Sequence, residues 1–479
     1  MPNTMTHNAA YNVRRAALGL ALAAGTAGLG ACKGLLDVDN PNNVVEANIA
    51  EVTAAAPLAN GVEGITIRAF NAALDPFSVA SDELDFVGSQ DGFFQLDVGN
   101  VSNPNIQFTD NAFARVAEAR WLGDQALARF AGWEQAGVLT SANLVDRAKA
   151  YLYTAITYAT IGDMFDDFVL ASDRQTGGAP VGEQNMRVVY DTAVAYLDRG
   201  LAAATTANNL ALRQQILATR ARVKHARALW AKLNPPTAYA NQAAPAPLAD
   251  PLVNDAETTA DARAALALIG ATDWTFTVQP STQGTAGNNL GNDLNVRRES
   301  RIGQAYGQPD PGAQGQNRTL VRDGLPVIVL NDPVTGQPDL ALRNRVRDLT
   351  IGTQAQLQFL PMILTSAREL NLILAEAALA SGDLAEARTR INLVRAFTAG
   401  TPAWDGASPD GVTMLKHMRR VNLFLMGRRL ADMYRFGDRD PRWQTGSVAY
   451  RARGCFFPIT FTERLSNTAV TTAPVCEGL

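Results

Sequence analysis

The stretch ELNLILAEAALASGDLAEARTRINLVRAF, which begins at Glu369, constrains the fold of this chain more than any other. Apolar side chains recur in it at the spacing of one helix face, at Leu370, Ile373, Leu374 and Ala377. Gly382 suits the left-handed end of a helix, and Asp383 suits the N-cap of the next one. The stretch therefore predicts two helices that are joined by a short turn and pack antiparallel.

A second apolar stripe follows the turn and completes the helical hairpin. Its members are Leu384, Ala387, Ile391 and Val394. Small side chains on the first helix allow the two helices to approach closely, at Ala375, Ala377 and Ala378. This pattern of alanines around a Gly-Asp turn is similar to a tetratricopeptide-type hairpin.

Helical periodicity dominates two long regions of the chain. It predicts helices in 112–134, 143–162, 189–204 and 210–233, so that residues from about 110 to 235 form a helical scaffold. A second scaffold region covers about 360–436 and ends in a third helix over 412–435. Short runs from Trp274 (WTFTV) and Leu325 (LPVIVL) predict minor strands. The predicted fold class is mostly α, with long loops and a few short β-strands.

The region between the two scaffolds, about 235–350, has the composition of loops. Residues 235–260 are rich in Pro and Ala, and residues 280–320 are rich in Gly, Gln, Asn and Asp. Long loops in a compact protein often carry function, so we expect the ligand-facing surface here. Its aromatic side chains are candidates for stacking on a ligand, although packing beneath the loops explains them equally well: Trp274, Phe276 and Tyr306.

The N-terminus has the order of a secretory signal. Arg14 and Arg15 precede an uncharged run, and Leu29-Gly30-Ala31-Cys32 resembles the lipobox of bacterial lipoproteins. In such proteins the signal, here residues 1–31, is removed and the cysteine is lipidated. Cys32 is therefore the expected lipid attachment site, and residues 32–479 are expected to form a single domain. The alternative is an ordinary secretory signal with a chance cysteine.

The two other cysteines, Cys455 and Cys476, lie near the C-terminus. Outside the cytoplasm, two remaining cysteines most simply form a disulfide. Two buried free thiols are the alternative. Neither cysteine has a histidine near it in sequence, so both readings are structural.

Composition and motifs argue against several function classes. A formal net charge of −4 and the lack of a basic stripe argue against a nucleic-acid partner. The three histidines are far apart, so we expect neither a metal site nor a cofactor. Asp82, Glu83 and Asp85 in SDELDF could serve as paired carboxylates for glycoside hydrolysis, but helix capping or solvation is the commoner explanation of such a cluster. The prediction is a protein that is not an enzyme.

Several segments together resemble the SusD/RagB family of outer-membrane nutrient-binding lipoproteins. They run in the family's order over nearly all of the mature chain: LLDVDNPN after Cys32, ASDELDF, RAKAYLYTAITYATIGDMFDDFVL, the hairpin stretch from Glu369, GRRLADMYRFG and FFPITFTERLSN. The chain departs from the family where Met418, Asn422 and Met426 replace frequent glutamates. Arg429 and Asp432 remain, and their three-residue spacing allows them to pair on a helix.

The resemblance implies a SusD-like fold with four tetratricopeptide-like hairpins. It also implies a function, which is to bind an oligomeric nutrient, such as an oligosaccharide, and deliver it to a SusC-like, TonB-dependent transporter. The protein would be lipid-anchored in the outer membrane and face the cell exterior. The alternative function is a lipid-anchored helical-repeat scaffold for protein assembly without a small ligand.

Overall fold

A computed structural model describes residues 50–171, 177–235, 247–280, 288–312, 318–471 and 475–478. The predicted signal and Cys32 lie outside the described residues. Residues Ala55–Leu479 form one compact unit. Within the described ranges, no helix is both long and apolar enough to cross a membrane.

The described chain is mostly helical, as predicted. Its α-helices, in chain order, are α1 Ala55–Val79, α2 Asp91–Asp97, α3 Gln107–Gln135, α4 Ser141–Met164, α5 Arg187–Thr206, α6 Leu210–Leu233, α7 Ala256–Ile269, α8 Asn289–Gly291, α9 Leu340–Thr350, α10 Gln354–Gln358, α11 Ala367–Ala380, α12 Leu384–Ala396, α13 Gly411–Asn422, α14 Arg429–Phe436, α15 Val448–Arg451 and α16 Phe461–Ser466. Four of the helices predicted from periodicity correspond to α3 to α6.

The strands are few and short, which confirms the second part of the predicted fold class. They are β1 Leu84–Phe86, β2 Thr275–Val278, β3 Ser300–Ile302, β4 Val321–Arg322, β5 Leu325–Pro326 and β6 Met362–Ser366. They form three antiparallel pairs, β1 with β3, β2 with β6, and β4 with β5. Each pair joins segments between helices, and none forms a layer of its own.

The helices pack mainly on their neighbours in sequence. Helix α1 lies against α3 and α4, α5 lies between α4 and α6, and α7 contacts both α6 and α11. The main core contains a cluster of aromatic rings in which Phe77 and Phe165 both meet Phe457 edge to face. Burial of these rings stabilises the contact between the helical scaffold and the C-terminal part of the chain.

The predicted hairpin from Glu369 is present as α11 and α12. Leu370, Ile373 and Leu374 are buried, as the apolar stripe requires. Gly382 has a φ of 79°, and the Asp383 carboxylate accepts a hydrogen bond of 3.0 Å from the Glu386 N–H. The turn glycine and the N-cap therefore do what their positions in the sequence predict. Leu384 is the exception in the second stripe, because it is exposed.

The prediction of one continuous helix over 412–435 is wrong in its middle. The structure has two helices there, and the helical conformation is interrupted between Asn422 and Arg429. Leu425 has a φ of 57° and Gly427 a φ of 69°. The Leu425 N–H donates to the Glu83 carboxyl group at 2.7 Å, and Arg222 donates to the Met426 carbonyl at 2.5 Å. Buried side chains from distant segments thus satisfy backbone groups that a continuous helix would pair internally.

The predicted loops are only partly loops. Helix α7 begins at Ala256, and the Asp255 side chain caps it. The described part of 280–320 contains α8, a π-helical turn over Asn292–Val296 and β3. Strand β3 is fully buried because it pairs with β1. Polar composition did not reveal this core segment, since its partner lies more than 200 residues earlier in the sequence.

Cys455 and Cys476 form a disulfide in the structure, across a sequence separation of 21 residues. Both side chains are buried. The bond ties the C-terminal turn Val475–Gly478 to the core beside Phe456 and Phe457.

Candidate functional site

A recess of about 460 Å³ opens between α2, the turn that follows it and the first turn of α3. Five amide side chains line it, together with Asp91 and backbone: Gln90, Gln95, Asn103, Asn105 and Gln107. We call it the amide recess. Each amide offers both a donor and an acceptor, so the lining can donate hydrogen bonds to neutral hydroxyl groups and also accept hydrogen bonds from them.

Local hydrogen bonds hold four of the five amides in place. Gln107 Nε2 donates to Gln90 Oε1 at 3.2 Å, and Asn100 Nδ2 donates to Gln95 Oε1 at 2.8 Å. The Asn105 N–H donates to Asn103 Oδ1 at 3.0 Å, which shapes the turn. A lining that is ordered before the ligand arrives loses less conformational entropy when it binds.

Aromatic side chains pack behind the lining residue Gly92, whose missing Cβ leaves room for the Phe108 ring. The rings of Phe93 and Phe108 stack with their centroids 3.7 Å apart. At the end of the helix that contains Phe93, Asp97 accepts a hydrogen bond of 3.1 Å from the Phe86 N–H and one of 2.7 Å from Arg442 Nε. Phe94, on the same short helix, is 42% exposed. Amides that line a recess are groups that typically bind the hydroxyls of a polyol ring.

The loop-rich region reaches the edge of the amide recess. Glu299 accepts hydrogen bonds from the Ser89 N–H at 2.8 Å and, through its carbonyl, from the Val87 N–H at 2.9 Å. The recess itself lies outside the predicted ligand-facing region of 235–350. The sequence did contain a signal for this site, namely a high density of amide side chains. Six Asn and Gln residues occur from Gln90 to Gln107.

A second recess, of about 380 Å³, lies among α9, the β2–β6 pair, α11 and the break after α13. Its polar lining includes Arg345, Arg347 and Arg368. We call it the arginine recess. Arg368 is held by Asp273, with Nε to Oδ1 at 2.8 Å and Nη2 to Oδ2 at 2.7 Å.

The carboxylates of SDELDF are neither helix caps nor solvated groups, which corrects the expectation from sequence. Asp82 accepts two hydrogen bonds from Arg429, both at 2.8 Å, and Asp85 accepts from Arg301 at 2.9 Å. Glu83 is the acceptor for Leu425. All three are buried, and none lines the amide recess or the arginine recess. Their geometry gives no support to a hydrolytic pair.

Burial and nearby charges set the protonation of these acids in opposite directions. Burial opposes ionisation of Asp82, but Arg429 and Arg420 outweigh it and lower the pKa of Asp82 to about 2. Burial dominates at Glu83 and raises its pKa to about 8. At neutral pH, Asp82 is therefore charged and Glu83 carries a proton.

The expected pairing of Arg429 with Asp432 does not occur. Arg429 is bound by Asp82 and Asp438 instead. Asp432 pairs with Arg419 and with Arg435, each at 2.9 Å. The helix that carries both residues is buried, so Arg429 reaches Asp82 on a remote segment, whereas Asp432 lies between Arg419 of α13 and Arg435 of its own helix.

Two of the three predicted stacking residues are in the core. Phe276 is 3% exposed and faces the Tyr153 ring, and Tyr306 is fully buried. The Tyr306 hydroxyl donates to Asp82 Oδ1 at 2.7 Å, and the Arg420 guanidinium lies 4.5 Å from its ring centre. With no exposed face, these rings cannot stack on a ligand, so that prediction is wrong for both. Trp274 is half-buried between two core clusters, and its role in binding stays a prediction.

In the ranges that the structure describes, one group has donor types close enough for a metal ion, namely Asp166, Glu183 and Cys476. The Cys476 sulfur is in the disulfide and offers no thiolate. Glu183 Oε2 already accepts a hydrogen bond of 2.9 Å from the Val475 N–H. Two carboxylates are fewer than the ligands that Zn²⁺ or Ca²⁺ takes, so this group is a poor fit to either ion.

No protein-family model matches this sequence, and no curated protein sequence matches it. The fold is nevertheless similar to solved structures. A SusD homolog from Bacteroides thetaiotaomicron has a TM-score of 0.59 at 14% identity, over 90% of this chain and 99% of that one. A SusD superfamily protein from Bacteroides fragilis has a TM-score of 0.56 at 13% identity, over 88% and 98%.

A third similar structure is a SusD-like carbohydrate binding protein from Bacteroides vulgatus. Its TM-score is 0.51 at 11% identity, over 86% of this chain and 97% of that one. The three structures together show that this chain has the SusD-like fold, which confirms the fold expected from the sequence resemblance.

Proposed function

We propose that this SusD-like chain binds an oligosaccharide, or a similar oligomeric nutrient, in the amide recess. The observation that carries the proposal is a set of five amides that line one recess, four of them held by local hydrogen bonds. Amide groups match the neutral hydroxyls of a sugar, since each can both donate and accept a hydrogen bond. The carbohydrate-binding neighbour of the same fold supports this choice of ligand.

The size of the recess suits one or a few sugar units. Its volume of about 460 Å³ lies within the usual range for small-ligand pockets, roughly 300–1,000 Å³. A longer oligomer would extend beyond it along the surface. Binding in this mode makes and breaks no covalent bond, so the proposed role is capture rather than catalysis.

The amide recess provides a direct test of the proposal. We expect a Gln95→Ala/Asn103→Ala double variant to lose about 10- to 100-fold in affinity for the glycan that wild type binds, because two ligand hydrogen bonds are removed. The measurement is isothermal titration calorimetry on the purified chain, after a glycan panel has identified the ligand.

The matched control removes two exposed amides from other surfaces, as Gln135→Ala/Gln337→Ala. It should bind like wild type. Equal affinity of wild type and the recess variant would contradict the proposed site. Failure of wild type to bind any member of the panel would favour the alternative function, a helical scaffold for protein assembly.

We also propose that Cys32 carries a lipid that anchors the protein in the outer membrane, facing the exterior. From there it would deliver its ligand to a SusC-like, TonB-dependent transporter. The support is the lipobox-like sequence Leu29-Gly30-Ala31-Cys32 together with the SusD-like fold. More than one acyl chain on the cysteine would make the attachment stable, since one chain alone binds membranes only marginally.

Loss of the acylated cysteine should release the protein. A Cys32→Ala variant is expected in the soluble fraction, without acyl label, whereas Lys33→Ala should stay with membranes like wild type. Fractionation with metabolic fatty-acid labelling measures both. Membrane retention of labelled Cys32→Ala would refute the anchor.

A further inference from the structure

We infer that the arginine recess is a second binding site, specific for a carboxylate group on a small ligand such as a uronic acid. The group that points to this ligand is Arg345 on α9. Its side chain is half-buried and lines the recess, where other charged and polar groups converge.

Arg345 lacks the partner that its neighbours have. Arg368 is held by Asp273, and Arg347 pairs with Asp348 at 2.8 Å. Among the described residues, no carboxylate or other acceptor lies within hydrogen-bonding distance of the Arg345 guanidinium. Two of the three arginines are thus neutralised and one is not, so the recess carries a net positive charge.

The nearest buried acid does not supply the missing charge. Glu83 and Asp348 are the acids that act on Arg345. Asp348 already pairs with Arg347, and Glu83 carries a proton at neutral pH because burial raises its pKa to about 8. Burial in turn lowers the pKa of Arg345 to about 10, which still leaves the guanidinium charged at neutral pH. A half-buried charge without a partner is costly, and a bound anion removes that cost.

The rest of the lining favours an organic acid over a bare inorganic anion. Asn344 offers an amide, whereas the Asn422 amide is already bonded to Arg368 and to the Met418 carbonyl, and Val421 and Phe424 offer apolar surface. A planar guanidinium binds a carboxylate through two parallel hydrogen bonds. A ring that carries a carboxylate and hydroxyls uses all three kinds of group, whereas phosphate has no apolar face to lie against Val421 and Phe424.

The test compares two ligands that differ only in the charged group. Wild type should bind glucuronate about tenfold or more tightly than glucose, since glucose cannot form the charged pair. Arg345→Gln should abolish this preference, and Arg388→Gln, a substitution of an exposed arginine on α12, should retain it. Ligand-observed NMR or calorimetry measures all three proteins at constant ionic strength.

Three outcomes would overturn the inference: equal binding of glucuronate and glucose by wild type, an unchanged preference in Arg345→Gln, or tighter binding of inorganic phosphate than of glucuronate. The wild-type comparison stands even if the variant fails to fold. The site is independent of the amide recess, because different residues line the two. The Gln95→Ala/Asn103→Ala variant should therefore bind glucuronate like wild type, so that the two proposals can fail separately.

Discussion

Replacing Glu376 by Gln is expected to lower the free energy of unfolding by about 3–5 kcal/mol, the usual cost of breaking a buried ion pair from one side. Glu376 lies on α11 and is fully buried. Both of its oxygens are used, by Arg435, by His225 at 3.0 Å and by the Val253 N–H at 2.8 Å. The substitution keeps the shape of the side chain, removes its charge and replaces one acceptor oxygen by an NH2 donor.

The charge matters because the surrounding network is balanced. Arg435 and Arg419 face two acids, Glu376 and Asp432, and all four side chains are buried. Burial opposes ionisation of Glu376, but Arg435 and His225 outweigh it and hold its pKa well below the ordinary value. Without the Glu376 charge, two buried arginines share one carboxylate, and the excess positive charge has no access to water.

Glu386→Gln on the neighbouring helix is the matched control. Its carboxylate pairs with Arg390 at 2.8 Å at a partly exposed position, so its loss should cost about 0–1 kcal/mol. Urea denaturation followed by circular dichroism measures both variants. A Glu376→Gln protein within about 1 kcal/mol of wild type would show that the network does not depend on this charge.

Glu83→Gln is expected to act in the opposite direction and to stabilise the protein at alkaline pH. The folded state holds the pKa of Glu83 at about 8, against an ordinary value of 4.5. Between those two values the unfolded chain has released the proton and the folded chain has kept it. Wild-type stability from this group is therefore complete below about pH 4.5, falls as pH rises, and is lost above about pH 8.

Glutamine has no proton to release, so the variant avoids this loss while its carbonyl can still accept from the Leu425 N–H. Relative to wild type, it should gain about 2–5 kcal/mol between pH 4.5 and pH 9, since each pKa unit is worth about 1.4 kcal/mol. Thermal and urea unfolding at several pH values measure the difference. Glu118→Gln, at a partly exposed ion pair with Arg115, should show no such trend. A pH-independent difference for Glu83→Gln would contradict the buried neutral acid.

Local signals predicted the helices well. The stripes, Gly382 and Asp383 act over a few residues, so their effect is the same in the sequence and in the folded chain. The break between Asn422 and Arg429 escaped prediction because Glu83, more than 300 residues away, supplies its hydrogen bond. The amide recess was not predicted, for another reason. A dense run of Asn and Gln indicates a polar surface, but it does not show that these side chains surround one cavity.

The sequence by itself determined the helical scaffold and the hairpin turn, because spacing and capping are properties of neighbouring residues. Only the tertiary structure decided which charges meet. Asp82 and Arg429 are separated by 347 residues, and Tyr306 and Phe276 are buried beneath elements that no local pattern brings together. Electrostatic partners and solvent exposure depend on distance in space, and in this fold that distance is set by the packing of remote segments.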